Sequence, residues 1–253
     1  MRHALSRLLA GLLLGLWLGG AEAQETARVA AIVDGDTLIL EDRREVRLVG
    51  IQAPKLPLGR RNFAPWPLAE EARTALQTLA GGRALGLSYG GTEKDRHGRV
   101  LAHLTDESGR FIQAEMLRLG MARLYSFADN RSRLDELFAA EREARAARRG
   151  IWGHPHYRIR SADQLSSDTD SFQLVEGVIR AVGSANGRTF LNFGDDPKTD
   201  FTAVIQPGAA TLFKSVGLNP QKLVGARVRV RGWIESRNGP SIQITHPEQI
   251  ERL

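Results

Sequence analysis

Three separated segments of this 253-residue chain gather side chains suited to handling a phosphate. They are Val33-Asp34-Gly35-Asp36-Thr37, Val46-Arg47-Leu48-Val49-Gly50-Ile51-Gln52-Ala53-Pro54-Lys55 and Asp95-Arg96-His97-Gly98-Arg99. An arginine fork bonds two phosphate oxygens at once and cannot lose its charge, so Arg47 and Arg99 are candidates for neutralising an anion. Imidazole is the side chain suited to proton exchange near neutral pH, so His97 is a candidate base. Lys55 carries only donors and, unless strongly desolvated, takes up no proton near neutral pH. Cutting a phosphodiester needs a nucleophilic water, charge neutralisation on the phosphorus oxygens and fixed geometry, and these residue types address the first two.

The order and spacing of the three segments resemble those of the staphylococcal-nuclease-like (thermonuclease) family, over about residues 27–152. That resemblance implies phosphodiester hydrolysis of nucleic acid, DNA or RNA, with Arg47 and Arg99 as the catalytic arginine pair. It also implies a calcium ion held by aspartates and a backbone carbonyl. Asp36 matches the first metal-binding aspartate, with Asp34 a nearby acid, and Ala53 keeps the backbone carbonyl. Where the family reads Asp-Thr/Ala-Pro-Glu, this chain reads Gln52-Ala53-Pro54-Lys55. Gln52 offers an uncharged oxygen in place of the second aspartate, so affinity for calcium falls. Lys55 replaces the glutamate that activates or orients the water, and the calcium-dependent route cannot operate unchanged.

Two readings follow. In one, the protein still hydrolyses nucleic acid: Lys55 supplies the metal's charge and His97 acts as base, with Glu70 and Glu71 less specific alternatives. In the other, a cleft lined by Arg47, Arg99, Lys55, Arg96 and Tyr125 binds nucleic acid or another anionic polymer without cutting it. For His97 the plain alternative is an exposed loop residue. For Glu70 and Glu71 it is the first turn of a helix, where acids favour the dipole.

The elements that must position these residues are short strands. Residues 27–32, 37–40, 44–51, 84–88 and 100–105 read as five strands, with Arg47 on the face opposite Val46 and Leu48. Residues 67–79 carry apolar side chains at helical spacing and end at Gly81-Gly82. Residues 112–119 and 132–149 read as further helices, the last N-capped by Ser132. Five strands with a helix between the third and fourth, then more helices, is the plan of an OB barrel, which the resemblance also implies.

After Trp152 the composition changes. Residues 159–171 are polar and rich in serine and aspartate, as a linker would be. From Phe172 onward, strand-like segments at 172–182, 189–193, 201–205, 226–234 and 241–245 predict a second, OB-like barrel, a small sandwich being the competitor. The fold class expected is therefore mainly β with helices: a nuclease-type domain over 24–158 and a β-rich domain over 172–253. The alternation Arg227-Val228-Arg229-Val230-Arg231 reads as a solvated strand face rather than a phosphate-binding row.

Residues 1–23 combine Arg2 and Arg7, an apolar run from Leu8 to Leu18 and a small-residue end at Ala21-Glu22-Ala23, the pattern of a signal peptide. The expected location is therefore exported, periplasmic or secreted, with no stable membrane insertion after cleavage. There is no cysteine, so neither disulfides nor thiol chemistry contribute. From Gln24 to Arg160 there are 23 Lys/Arg against 18 Asp/Glu, and from Ser161 to Leu253 there are 10 of each. The basic excess of the mature chain thus lies in its first half, which suits a polyanionic partner.

Overall fold

In this computed structural model the described residues are 25–165, 168–196 and 198–253; the expected signal peptide lies outside them. Strands β1 (Thr26–Asp34), β2 (Thr37–Leu40), β3 (Glu45–Leu48), β5 (Ala84–Ser88) and β6 (Val100–Thr105) close a barrel in the order β1-β2-β3-β6-β5. Only β3 and β6 pair parallel; the other neighbours are antiparallel. Period-two alternation fills the interior with Leu38, Leu40, Val46, Leu48, Leu85 and Leu104. Arg47 is thereby placed on the outer face of β3, as its flanking apolar neighbours predict.

The strand predicted over 44–51 is broken. β4 (Gly50–Gln52) leaves the barrel and pairs with β7 (Arg123–Tyr125). Gly50 makes the break, because its φ of +86° is costly for any residue with a Cβ. A Cβ there would also lie 2.6 Å from Leu137 Cδ1. The hydrophobic period runs through this corner unbroken, so only the glycine marked it.

Helix α1 (Ala69–Ala80) lays Ala72, Leu76 and Leu79 on the barrel and stops at Gly81, as its sequence predicts. Helices α2 (Ile112–Arg118) and α3 (Leu134–Ala146) pack on one another and on the β4–β7 ribbon. Ser132 does not cap α3. Arg133 holds the N-cap position in a left-handed conformation, while the Ser132 hydroxyl bonds the buried His103 Nε2 at 2.9 Å.

A second apolar core lies under β8 (Arg160–Ser161), β9 (Ser171–Val178), β10 (Ala181–Ala185), β11 (Arg188–Asn192), β12 (Thr202–Ile205), β13 (Arg227–Ser236), β14 (Pro240–Ile244) and β15 (Ile250–Arg252). The strand order is β10-β11-β12-β14-β13-β9-β8, with β15 also on β13 and β12 parallel to β14. Only Ile179 and Arg180 separate β9 from β10, so one bent segment carries both the β11 and the β13 side of the sheet, which curls round as an OB-like barrel does. Helix α4 (Ala210–Ser215) lies between β12 and β13, matching the place of α1 in the first barrel. The stretch expected to be a linker is partly built into this sheet: β8 pairs with β9, Leu165 joins the core, and Arg160 bonds Asp168 at 2.8 Å. Among the described residues no helix is long and apolar enough to cross a membrane.

The two cores meet through charged side chains. Val228 and Val230 enter the second core, which leaves Arg229 and Arg231 on the opposite face of β13. That face is not solvated, contrary to the sequence expectation. Arg231 is 1% exposed and pairs with the fully buried Glu141 of α3 at 2.9 Å. Arg229 pairs with Glu251 at 2.8 Å, and Arg145 of α3 with the same Glu251 at 2.8 Å. Only Arg227 remains largely exposed. The alternation was legible, but its partner surface was not.

Candidate nucleic-acid cleft

The site begins at the β1–β2 turn. Gly35 is required there by close approach: a Cβ would lie 2.7 Å from both Ala53 Cβ and Ala72 Cβ. The turn thus presses against α1 and directs Asp36 inward, where it is wholly buried. Asp36 Oδ2 accepts from the Ala53 N–H at 2.6 Å, while Lys55 Nζ reaches Oδ1 at 2.6 Å and Oδ2 at 2.8 Å. Lys55 Nζ also lies 3.2 Å from Asp34 Oδ2. Burial pushes the Asp36 carboxyl up, but the charges of Arg47 and Lys55 and the hydrogen bonds from Lys55 and Ala53 hold it well below the usual carboxylate range. Asp34 moves the other way: burial and then the neighbouring Asp36 charge raise it, against the pull of Lys55.

Arg47 leans over this pair. Its Nη1 donates to the Leu48 carbonyl at 2.6 Å, and its Nη2 donates to the Ile51 carbonyl at 2.5 Å and lies 3.3 Å from Asp36 Oδ2. These bonds fix the guanidinium where the chain leaves the barrel. Across the cleft, Arg99 Nε and Nη2 grip Asp95 Oδ2 at 2.8 and 2.7 Å. Asp95 Oδ1 meanwhile accepts the N–H groups of His97 and Arg99, which shapes the turn. The Arg47 and Arg99 side chains keep 13% and 27% of their surface exposed.

Both arginines line one cleft of about 670 Å³. Arg96, His97 and Tyr125 line it too. Lys94, Phe127 and Trp233 are added by the fold. Lys55, expected from the sequence as a nucleic-acid contact, is not on the cleft wall; its ammonium bonds Asp36 and Asp34. Glu70 and Glu71 are on the exposed first turn of α1, with Glu70 paired to Arg73 at 2.8 Å, and neither reaches the cleft. Both acids stand in the first turn, where the helix dipole favours negative charge. His97 is exposed, and its Nε2 accepts from Arg96 Nε at 3.1 Å.

Gln52 is turned to another task. Its Oε1 accepts from Arg123 Nε at 3.0 Å and from Nη2 at 2.7 Å, while Arg123 Nη1 donates to the Phe172 carbonyl at 3.0 Å. Burial lowers Arg123 to about 10, and its hydrogen bonds go to the neutral oxygens of Gln52 and Phe172. Calcium takes about six to eight oxygen ligands, usually with carboxylates among them. Here both Asp36 oxygens face an ammonium, the Gln52 oxygen serves a guanidinium, and among the described residues no cluster of three or more His, Asp or Glu side chains is placed to hold an ion. These donors do not fit calcium.

A closed five-stranded barrel with two arginines on one basic cleft defines a fold of the OB class. Comparison with known proteins agrees: the family model of the staphylococcal nuclease homologue matches residues 45–154, a span that holds both arginines, Gln52, Lys55 and Tyr125. Protein ParB of Escherichia coli is 33% identical over 165 residues, 61% of this chain and 87% of its own length. Thermonuclease of Staphylococcus hyicus is 25% identical over 134 residues, 52% of this chain and 78% of its own. Endonuclease YhcR of Bacillus subtilis is 26% identical over 226 residues, covering 82% of this chain but only 18% of YhcR, and this similarity runs beyond the first barrel. The chain belongs to the staphylococcal nuclease homologue family.

Proposed function

We propose that this protein hydrolyses nucleic acid at the Arg47–Arg99 cleft without a calcium ion, the Lys55 ammonium standing in for the cation. The observation that carries this reading is the convergence of Arg47 and Arg99, from a strand and a distant turn, on one cleft rich in positive charge. The arginines bind the scissile phosphate and take up the charge that builds on its oxygens. Lys55 neutralises Asp36 and Asp34, whose uncompensated charges would repel that phosphate. His97, on the cleft wall, accepts the proton of the attacking water at Nε2 once that nitrogen is released from Arg96 Nε. The relatives named endonuclease and thermonuclease support the class of reaction. The signal-like sequence of residues 1–23 supports action outside the cytoplasm.

One observation favours a second reading, binding without cleavage: Asp34, Asp36 and Asp95 are each paired with a cation, which takes the acids of the three motif segments out of base chemistry. The deciding experiment incubates purified protein with single-stranded DNA and RNA in calcium, magnesium and chelator. Cleavage that persists in chelator and is lost in Arg99→Ala supports hydrolysis. Salt-sensitive binding without product, weakened by the same change, supports the binding reading. Neither cleavage nor binding overturns both.

A further inference from the structure

The second barrel contributes a wall to the cleft of the first. Trp233, on β13, lines the same cleft as Arg47 and Arg99, and its Nε1 donates to the Tyr125 hydroxyl at 3.0 Å. The ring is 46% exposed, and no described ring or cation packs on its face. Phe127, 48% exposed, lies beside Tyr125 with ring centroids 5.0 Å apart. Among described aromatic side chains exposed by more than about a third, only Tyr89 lies elsewhere. Two large rings, Trp233 and Phe127, thus stand exposed in one basic cleft.

The position of Trp233 is fixed from both sides. Two residues earlier on the same face of β13, Arg231 pairs with Glu141 of α3, and on the next pair Trp233 stands opposite Phe172, whose ring touches Tyr125 at 4.8 Å. The indole is therefore preorganised relative to the arginines, as a stacking surface must be if it is to gain affinity.

We propose that Trp233, with Tyr125 and Phe127, forms a stacking site for an unpaired base of single-stranded nucleic acid whose phosphate rests on Arg47 and Arg99. This rests on the nucleic-acid reading above and adds a base-binding role for the second barrel. Every base offers a π face, so the site tolerates any sequence but requires a base that is not paired. Duplex DNA, whose bases are stacked within the helix, is disfavoured.

The test measures binding of the full-length protein to a single-stranded oligonucleotide, to the same length of abasic backbone, and to duplex. Wild type prefers the base-containing strand, Trp233→Ala loses about tenfold or more on that strand alone, and Trp233→Phe retains most of the affinity although it cannot bond Tyr125. Equal losses on the base-containing and abasic strands, or equal losses in the Phe and Ala variants, would reduce Trp233 to a clamp on Tyr125 and overturn the stacking site. Wild-type binding that the Ala variant leaves unchanged overturns it as well. Failure of the wild-type protein to bind any strand overturns the nucleic-acid reading itself, and this inference with it. Matching melting curves show that the variants are folded.

Discussion

Lys55 Nζ sits within 2.8 Å of both carboxylate oxygens of Asp36, a side chain with no solvent exposure. The ammonium thus neutralises a buried charge at the place where the family resemblance implies a metal ion. Removing one partner of such a pair leaves the other uncompensated, at a cost of about 3–5 kcal/mol. Arg47 shares the load here, so Lys55→Ala is expected toward the lower end, read as a fall in denaturation midpoint. A midpoint unchanged from wild type would show that Arg47 alone suffices.

Lys55→Glu places a third carboxylate beside Asp34 and Asp36. Without divalent cation this variant melts lower than Lys55→Ala, because three acids then repel one another. Calcium at a hundredfold excess over its dissociation constant would return about 3 kcal/mol. Gln52→Asp alone produces no such response, since its carboxylate meets Arg123. Thermal melts of both variants in calcium and in chelator check this; a calcium shift in Gln52→Asp and none in Lys55→Glu contradicts it.

Glu141 and Arg231 are both essentially excluded from solvent, and Glu141 Oε1 also accepts the Leu124 N–H at 2.8 Å. Arg231→Ala is expected to cost about 3–5 kcal/mol and to loosen the second barrel from α3. Limited proteolysis between residues 159 and 171 should then proceed faster than in wild type. An unchanged cleavage rate would show that the remaining contacts hold the barrels together.

His246 crosses the same interface, its Nε2 lying 2.7 Å from Ser126 Oγ. Burial, the largest influence, lowers it from 6.5 to about 4, with Glu248 opposing. Below pH 6.5 the unfolded chain takes up a proton that the folded state refuses until pH is about 4. Stability is therefore complete above that window and falls through it, by on the order of 3 kcal/mol. His103 shifts in the same direction. His246→Gln should accordingly reduce the acid loss between those limits, measured by urea midpoints against pH; a loss equal to wild type contradicts this.

Gly35→Ala forces a methyl against Ala53 and Ala72. Overpacking of this kind costs about 1–3 kcal/mol, and because the turn carries Asp34 and Asp36 it also disturbs the Lys55 pair. Melting temperature should fall in this variant, while Gly59→Ala, in open space but at positive φ, falls only by its backbone strain.

The sequence by itself determined the barrel strands, the helix after them and the two arginines, because side-chain alternation and turn glycines are local properties. It also determined that Lys55 stands where an acid is expected. Only the tertiary structure decided what Lys55, Gln52 and the Arg227–Arg231 row do. Each is a polar group whose role is set by its partner, and the partners Asp36, Arg123 and Glu141 lie 19, 71 and 90 residues from Lys55, Gln52 and Arg231. Trp233 lies 108 residues from Tyr125 and carries no local signal at all, since an exposed indole on a strand looks the same whether it faces water or a cleft. Charge and apolar pattern fix which faces turn inward; the docking of two separately built cores fixes what those faces meet.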